Sequence, residues 1–68
     1  MSTYTATHNG RQFTRCSDRQ YTHAVIVGGM TVWGWRSSKK LAENAAKEAR
    51  KAWPALDVEI IEAIPDQP

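Results

Sequence analysis

Apolar and polar residues between Lys39 and Trp53 separate onto two faces of a helix. At about 100° per residue, Leu41, Ala42, Ala45, Ala46, Ala49, Ala52 and Trp53 fall within one arc of about 140°. Lys39, Lys40, Glu43, Asn44, Lys47, Glu48, Arg50 and Lys51 fill the rest, and no residue stands on the wrong side. Ser37 or Ser38 is placed to cap the helix by accepting a bond from a backbone N–H of the first turn. Pro54 ends it, because the residue before a proline resists the α conformation. Glu43 and Lys47 form an i,i+4 pair in the favourable orientation. The inward face is mostly alanine, so the axis is expected to lie close to a sheet. The bulk of the core must then come from that sheet and from Leu41 and Trp53, which bracket the helix.

The remaining patterns are those of strands. Tyr4 to Thr7 is rich in threonine and aromatics, which suits a strand, either marginal or fully formed. Asn9-Gly10 accepts the positive φ angles of a type I′ turn and predicts a hairpin into a second strand from Arg11 to about Cys16. Ser17 to Gln20 is a polar connection in which Asp18 can form an Asx turn. Tyr21 to Val27 holds the best strand pattern, Gly28-Gly29 a second tight hairpin, and Met30 to Trp35 the returning strand. A last strand is expected from Leu56 to Ile61, with Ile64 extending the core and Asp66 to Pro68 forming a frayed tail. The fold class is therefore α+β, a single domain over residues 1–68. An antiparallel meander of three or four strands precedes one helix packed on one face, and one C-terminal strand follows (ββββαβ or βββαβ).

Alternation places side chains on faces. Val25 and Val27 share a face with Tyr21 and His23, while Ala24 and Ile26 share the other. Thr31, Trp33 and Trp35 oppose Met30, Val32, Gly34 and Arg36. Both faces of these central strands are partly apolar, and a single helix covers only one. The second face is expected to be open and to meet water, a partner or a second copy of the chain.

Sixty-eight residues lie near the lower limit for independent folding. No apolar run approaches the length of a membrane span, about 18 residues. The opening residues lack the charged and apolar regions of a signal peptide, and the lone Cys16 agrees with a reducing compartment, so a cytoplasmic chain is expected. Net charge is only +2, but its distribution is uneven. Residues 1–53 carry nine Lys/Arg against three acids, and residues 54–68 carry four acids and no base. A basic body suits nucleic acid, unless strand and helix charges simply neutralise each other across the fold.

Candidate chemistry is sparse. Cys16 and His23 can be paired as thiol and imidazole, but no third group orients the histidine and no loop resembles an oxyanion hole. The blander alternative is a half-buried cysteine and a strand histidine. His8, Cys16, Asp18 and His23 lack paired metal-ligand spacing, and Gly28-Gly29 is not followed by the Gly-Lys-Ser/Thr of a phosphate loop. The sequence makes no case for an enzyme, a metal or a cofactor. It does offer binding residues. Arg11, Phe13 and Arg15 alternate on one strand face, where an aromatic between two guanidinium groups could stack on a base or grip phosphates. Trp33 and Trp35 could anchor an interface. Lys39 and Lys40 stand at the helix N-terminus, the unfavourable end for positive charge, at about 0.3–1 kcal/mol per charge. An anion or an acidic partner there would repay that cost, although a solvated charged face is the ordinary alternative.

Two resemblances add expectations. Val25 to Trp35, followed by Ser37-Ser38-Lys39-Lys40-Leu41-Ala42-Glu43-Asn44-Ala45, is similar to DNA readers built of a three-stranded sheet and a helix. These are the plant ethylene-response-factor domains and the arm-binding domains of tyrosine-recombinase integrases. That resemblance implies a sheet laid in the major groove, with Arg11, Arg15, Trp33 and Arg36 at matching positions. Thr14 to Val25 is similar to an Arg-x-Ser-x-Arg-x-Tyr-Thr-His-x-Val stretch of small uncharacterised phage proteins. This second resemblance implies a phage accessory protein that, like anti-CRISPR inhibitors, occupies a surface on a host nucleoprotein complex. The leading expectation is thus a non-catalytic interaction protein that binds a host macromolecular complex. The alternative is a DNA- or RNA-binding module using the open sheet face. Either would draw on Arg11, Phe13, Arg15, Trp33, Trp35, Arg36, Lys39 and Lys40. A homodimer formed through the same face is a third reading.

Overall fold

The computed structural model describes residues 2–65; the expected frayed tail at 66–68 lies outside them. The chain is α+β. It runs β1 (Ser2–His8), β2 (Arg11–Ser17), β3 (His23–Val27), β4 (Thr31–Arg36), α1 (Lys39–Ala52), β5 (Val58–Glu62) and β6 (Ile64–Pro65). The first strand, which the sequence left open as marginal or real, is a full seven residues. The strands form two antiparallel three-stranded sheets rather than one, ordered β2-β1-β6 and β4-β3-β5.

Local chemistry sets the turns and caps. Asn9 and Gly10 have φ of 52° and 80°, the pair of positive angles a type I′ hairpin requires. Ser38 is the N-cap, its hydroxyl accepting from the Leu41 N–H at 3.2 Å. Such a cap contributes about 1 kcal/mol. Trp53 closes the other end as C-cap, donating its N–H to the Ala49 carbonyl at 2.8 Å immediately before Pro54. In the β2–β3 connection the turn is made by Ser17, whose hydroxyl accepts from the Arg19 N–H at 3.1 Å, and not by Asp18.

The helix lies on one face of the β4-β3-β5 sheet. Ala42, Ala45, Ala46 and Ala49 bury against Val25 and Val27, with Val58 and Ile60 packed around them. Leu41 and Trp53 were expected to supply bulk here, but each stays about half exposed, so the branched residues of the sheet fill the layer.

The opposite face is where expectation and structure part. It is not open: Ala24, Ile26 and Trp35 bury against Tyr4 and Ala6 of β1, with Phe13, Val32 and Ile61 packed beside them. The chain's own N-terminal hairpin takes the place foreseen for water, a partner or a second copy. Tyr21, expected to share a face with Val25, precedes β3 and joins this second cluster. Ala63 carries the chain between the sheets: it is buried, and its N–H donates to the Thr22 carbonyl at 2.9 Å. Beyond it, β6 pairs Ile64 with Thr5 and Pro65 with Tyr4, a strand the sequence did not announce. Ile64 itself is exposed rather than part of the core. His8 Nε2 meets Glu59 Oε2 at 3.0 Å and ties the hairpin to β5.

A bulge also changes which tryptophans lie together. Val25 pairs with Gly34 and Ile26 with Val32, leaving Trp33 as the extra residue of β4. Trp33 and Trp35 therefore do not share a face. Trp35 is buried between the sheets, whereas Trp33 is 38% exposed.

Candidate functional site

β4 ends its sheet, so one side of its backbone is not paired with a strand. Along that edge runs a groove of about 860 Å³. Arg15, Arg19, Gln20 and Tyr21 line it from the end of β2 and the connection that follows, Trp33, Gly34 and Trp35 from β4, and Arg36, Ser37 and Leu41 from the passage into α1.

Three guanidinium groups thus line one groove, and among the described residues no Asp or Glu lines it. Among the described residues none of the three is in an ion pair. Each is held differently. The Cζ of Arg15 stands 5.6 Å from the centroid of the Tyr21 ring, within cation–π range. Arg36 folds back over Gly34 and donates from Nη1 to the Trp35 carbonyl at 2.9 Å. A Cβ at position 34 would lie within 2.5 Å of that nitrogen, so the glycine makes room for the guanidinium. This bond occupies one carbonyl of an edge strand, and the bulge at Trp33 further disfavours pairing with another chain. Arg19 is carried by the turn that Ser17 makes.

Tyr21 links the groove to the core. Its ring meets Tyr4 edge-on at 5.4 Å and Trp35 at a tilted 6.1 Å. Its phenol ionises below the ordinary tyrosine value of 10.0, chiefly because the Ser17 hydroxyl hydrogen-bonds it, with Arg15 and Arg19 adding favourable charge against some desolvation. The sign follows from linkage. A depressed pKa contributes stability that is fully present above the unfolded value of about 10 and is lost as pH falls through the folded value. In a Tyr4→Phe background, phenolate absorbance should show Tyr21 titrating below pH 10, and Ser17→Ala should move it upward. An unmoved titration would remove the Ser17 bond as its main cause.

The groove gathers Arg15, Trp33, Trp35 and Arg36 from the residues the sequence nominated, although Trp35 presents little surface. The others lie elsewhere. Phe13 pairs with Ala6 and packs against the cluster between the sheets. Arg11 pairs with His8 at the far end of the hairpin. The face carrying Arg11, Phe13 and Arg15 is the one turned toward the second sheet, so it is not the open platform expected of it. Lys39 is exposed on the first turn of α1, and Lys40 borders a hollow with Glu43, Asn44, Lys47 and Arg50 on the helix. Cys16 is exposed and opposite Thr3, whereas His23 belongs to the other sheet and bonds the Thr22 hydroxyl at 2.7 Å. Sequence reasoning missed Arg19, Gln20 and Tyr21 as site residues. The available signal was their spacing: Arg15 and Tyr21 flank the connection Ser17 to Gln20, and Arg19 sits within it at the turn that Ser17 makes.

A second, apolar cleft of about 350 Å³ lies at the other end of β4, lined by Val27, Thr31, Val32, Trp33, Trp53 and Leu56. Among the described residues no helix is long and apolar enough to cross a membrane. No family model, curated protein or solved structure matches this chain.

Proposed function

We propose that this chain is a non-catalytic binding module whose ligand is nucleic acid, held in the groove along β4. One observation carries the reading. Arg15, Arg19 and Arg36 line a single groove beside an accessible tryptophan, with no acidic side chain among its described lining residues. Guanidinium groups match phosphate oxygens in charge and geometry, and phosphate contacts supply most of the affinity of such modules. The sheet face expected to bind is covered by the hairpin, so this reading rests on the groove at the sheet edge instead.

The test is the salt dependence of binding, read by fluorescence anisotropy with labelled DNA and RNA oligonucleotides. Three phosphate contacts give log K against log salt a slope of about −2 to −3. Arg15→Ala, Arg19→Ala and Arg36→Ala should each make that slope shallower by about 0.7–0.9. Slopes unchanged in all three variants would reject the groove.

A protein partner, such as a host nucleoprotein complex, is the second reading. The observation favouring it is the apolar cleft, where Trp33, Trp53 and Leu56 stay substantially exposed. Exposed tryptophans are frequent anchors of protein interfaces. Binding through that cleft would respond to Trp53→Ala and little to salt.

A further inference from the structure

The aromatic side chains of the groove are not equivalent, and the difference bears on the form of the ligand. Trp35 is buried between the sheets. Tyr21 is already engaged, edge-on with Tyr4 and beneath the guanidinium of Arg15. Trp33 stands at the bulge of β4 and, at 38%, is the most exposed of the three aromatics in the groove.

Stacking on a protein ring requires a base whose own face is available. In a duplex the faces of internal bases are covered by their neighbours, so a duplex can reach the arginines but not Trp33. An unpaired base can splay out and do both. The shape of the site agrees. A concave groove of about 860 Å³ is of the size that encloses a small ligand. It suits a base with its sugar and phosphate better than the convex backbone of a helix. The basic residues come from two parts of the chain, Arg15 and Arg19 beside Tyr21 and Arg36 folded over Gly34, and all three line the groove together with the tryptophan. Gln20 adds an amide donor and acceptor to the same groove, the chemistry that a base edge presents.

Resting on the nucleic-acid reading above, we infer that the groove takes a single strand, with one unpaired base stacked on Trp33 and its flanking phosphates on Arg15, Arg19 and Arg36.

The test compares a fluorescein-labelled single strand of mixed sequence with the same strand annealed to its complement. The unmodified protein should bind the single strand at least about tenfold more tightly. Trp33→Ala should lower single-strand affinity about 5- to 150-fold while leaving the salt slope unchanged, because stacking releases no counterions. Trp33→Phe, which keeps a ring, should recover most of that loss. Equal affinity for the two forms overturns the single-strand assignment, and so does a folded Trp33→Ala variant that binds normally. If such binding still weakens in Arg15→Ala/Arg19→Ala, the nucleic-acid reading stands without it. Binding of neither form, or binding indifferent to the arginines, overturns both. The strand preference is measured on the unmodified chain, so the inference remains testable if a Trp33 variant does not fold.

Discussion

Replacing Ile26 by alanine is expected to destabilise the domain by about 2–5 kcal/mol, comparable with the whole stability of a chain this small. Ile26 is 1% exposed and points toward the hairpin, in the cluster with Tyr4, Ala6 and Trp35. Val25, its neighbour in β3, is 0% exposed and points toward the helix. A strand with both faces buried must lose stability whichever neighbour is truncated. Val25→Ala should therefore also be costly, though somewhat less so, since valine gives up fewer carbons at about 0.8 kcal/mol per methylene. Urea denaturation reads both, with the slope against denaturant held constant if the denatured state is unaffected. Were the hairpin not seated on the sheet, Ile26 would be a surface residue and its truncation would stay within about 0.5 kcal/mol.

That contrast marks where the sequence stops being legible. The local elements are written in it plainly. Alanine periodicity gives the helix, Ser37 or Ser38 its start, Pro54 its stop, and Asn9-Gly10 and Gly28-Gly29 the two hairpins. The double-sided apolarity of the central strands was visible too, in Val25 and Val27 against Ala24 and Ile26. Periodicity says which side chains share a face but not what covers it. A hairpin from the same chain and an interface with another protein leave the same alternation in β3. The first strand also carries few large apolar residues, Tyr4 and Ala6 among threonines, and so does not look like a layer of a core. It succeeds because Trp35 and Ile26 bring the bulk from the other side.

The groove was half legible for a related reason. Arg15 and Arg36 could be nominated from their residue type, but they come together across two sheets, and no spacing along the chain expresses that. The bulge opposite Val25 and Ile26 is equally silent. One extra residue in β4 turns Trp33 away from Trp35, so the alternation rule that serves β1, β2 and β3 fails at the position that matters most for the site. Gly34, beside the bulge, was the single local hint.

The alanine face of α1 leads to the second large effect on stability. Ala46→Leu is expected to destabilise the domain by about 1–3 kcal/mol, although leucine is nearly as good a helix former as alanine and adds apolar surface. Ala42, Ala46 and Ala49 are each 0% exposed, against Val25 and Val27 of the sheet. Small side chains are what allow the helix axis to lie near the strands. A leucine at position 46 has to push the helix outward or distort the valines beneath it. Ala52→Leu, at the exposed end of the helix, is the matched control and should change stability by no more than about 0.5 kcal/mol. In a thermal melt the two separate clearly, since each kcal/mol moves the Tm of a domain this size by about 4–8 °C. A stabilised Ala46→Leu variant would mean that the layer has room to spare. The expected loss has a second consequence, because Leu41 and Ser37 at the start of α1 form part of the groove wall. A helix displaced from the sheet carries that wall with it. Ala46→Leu should thus weaken ligand capture at temperatures where the variant is still fully folded, while Ala52→Leu should not.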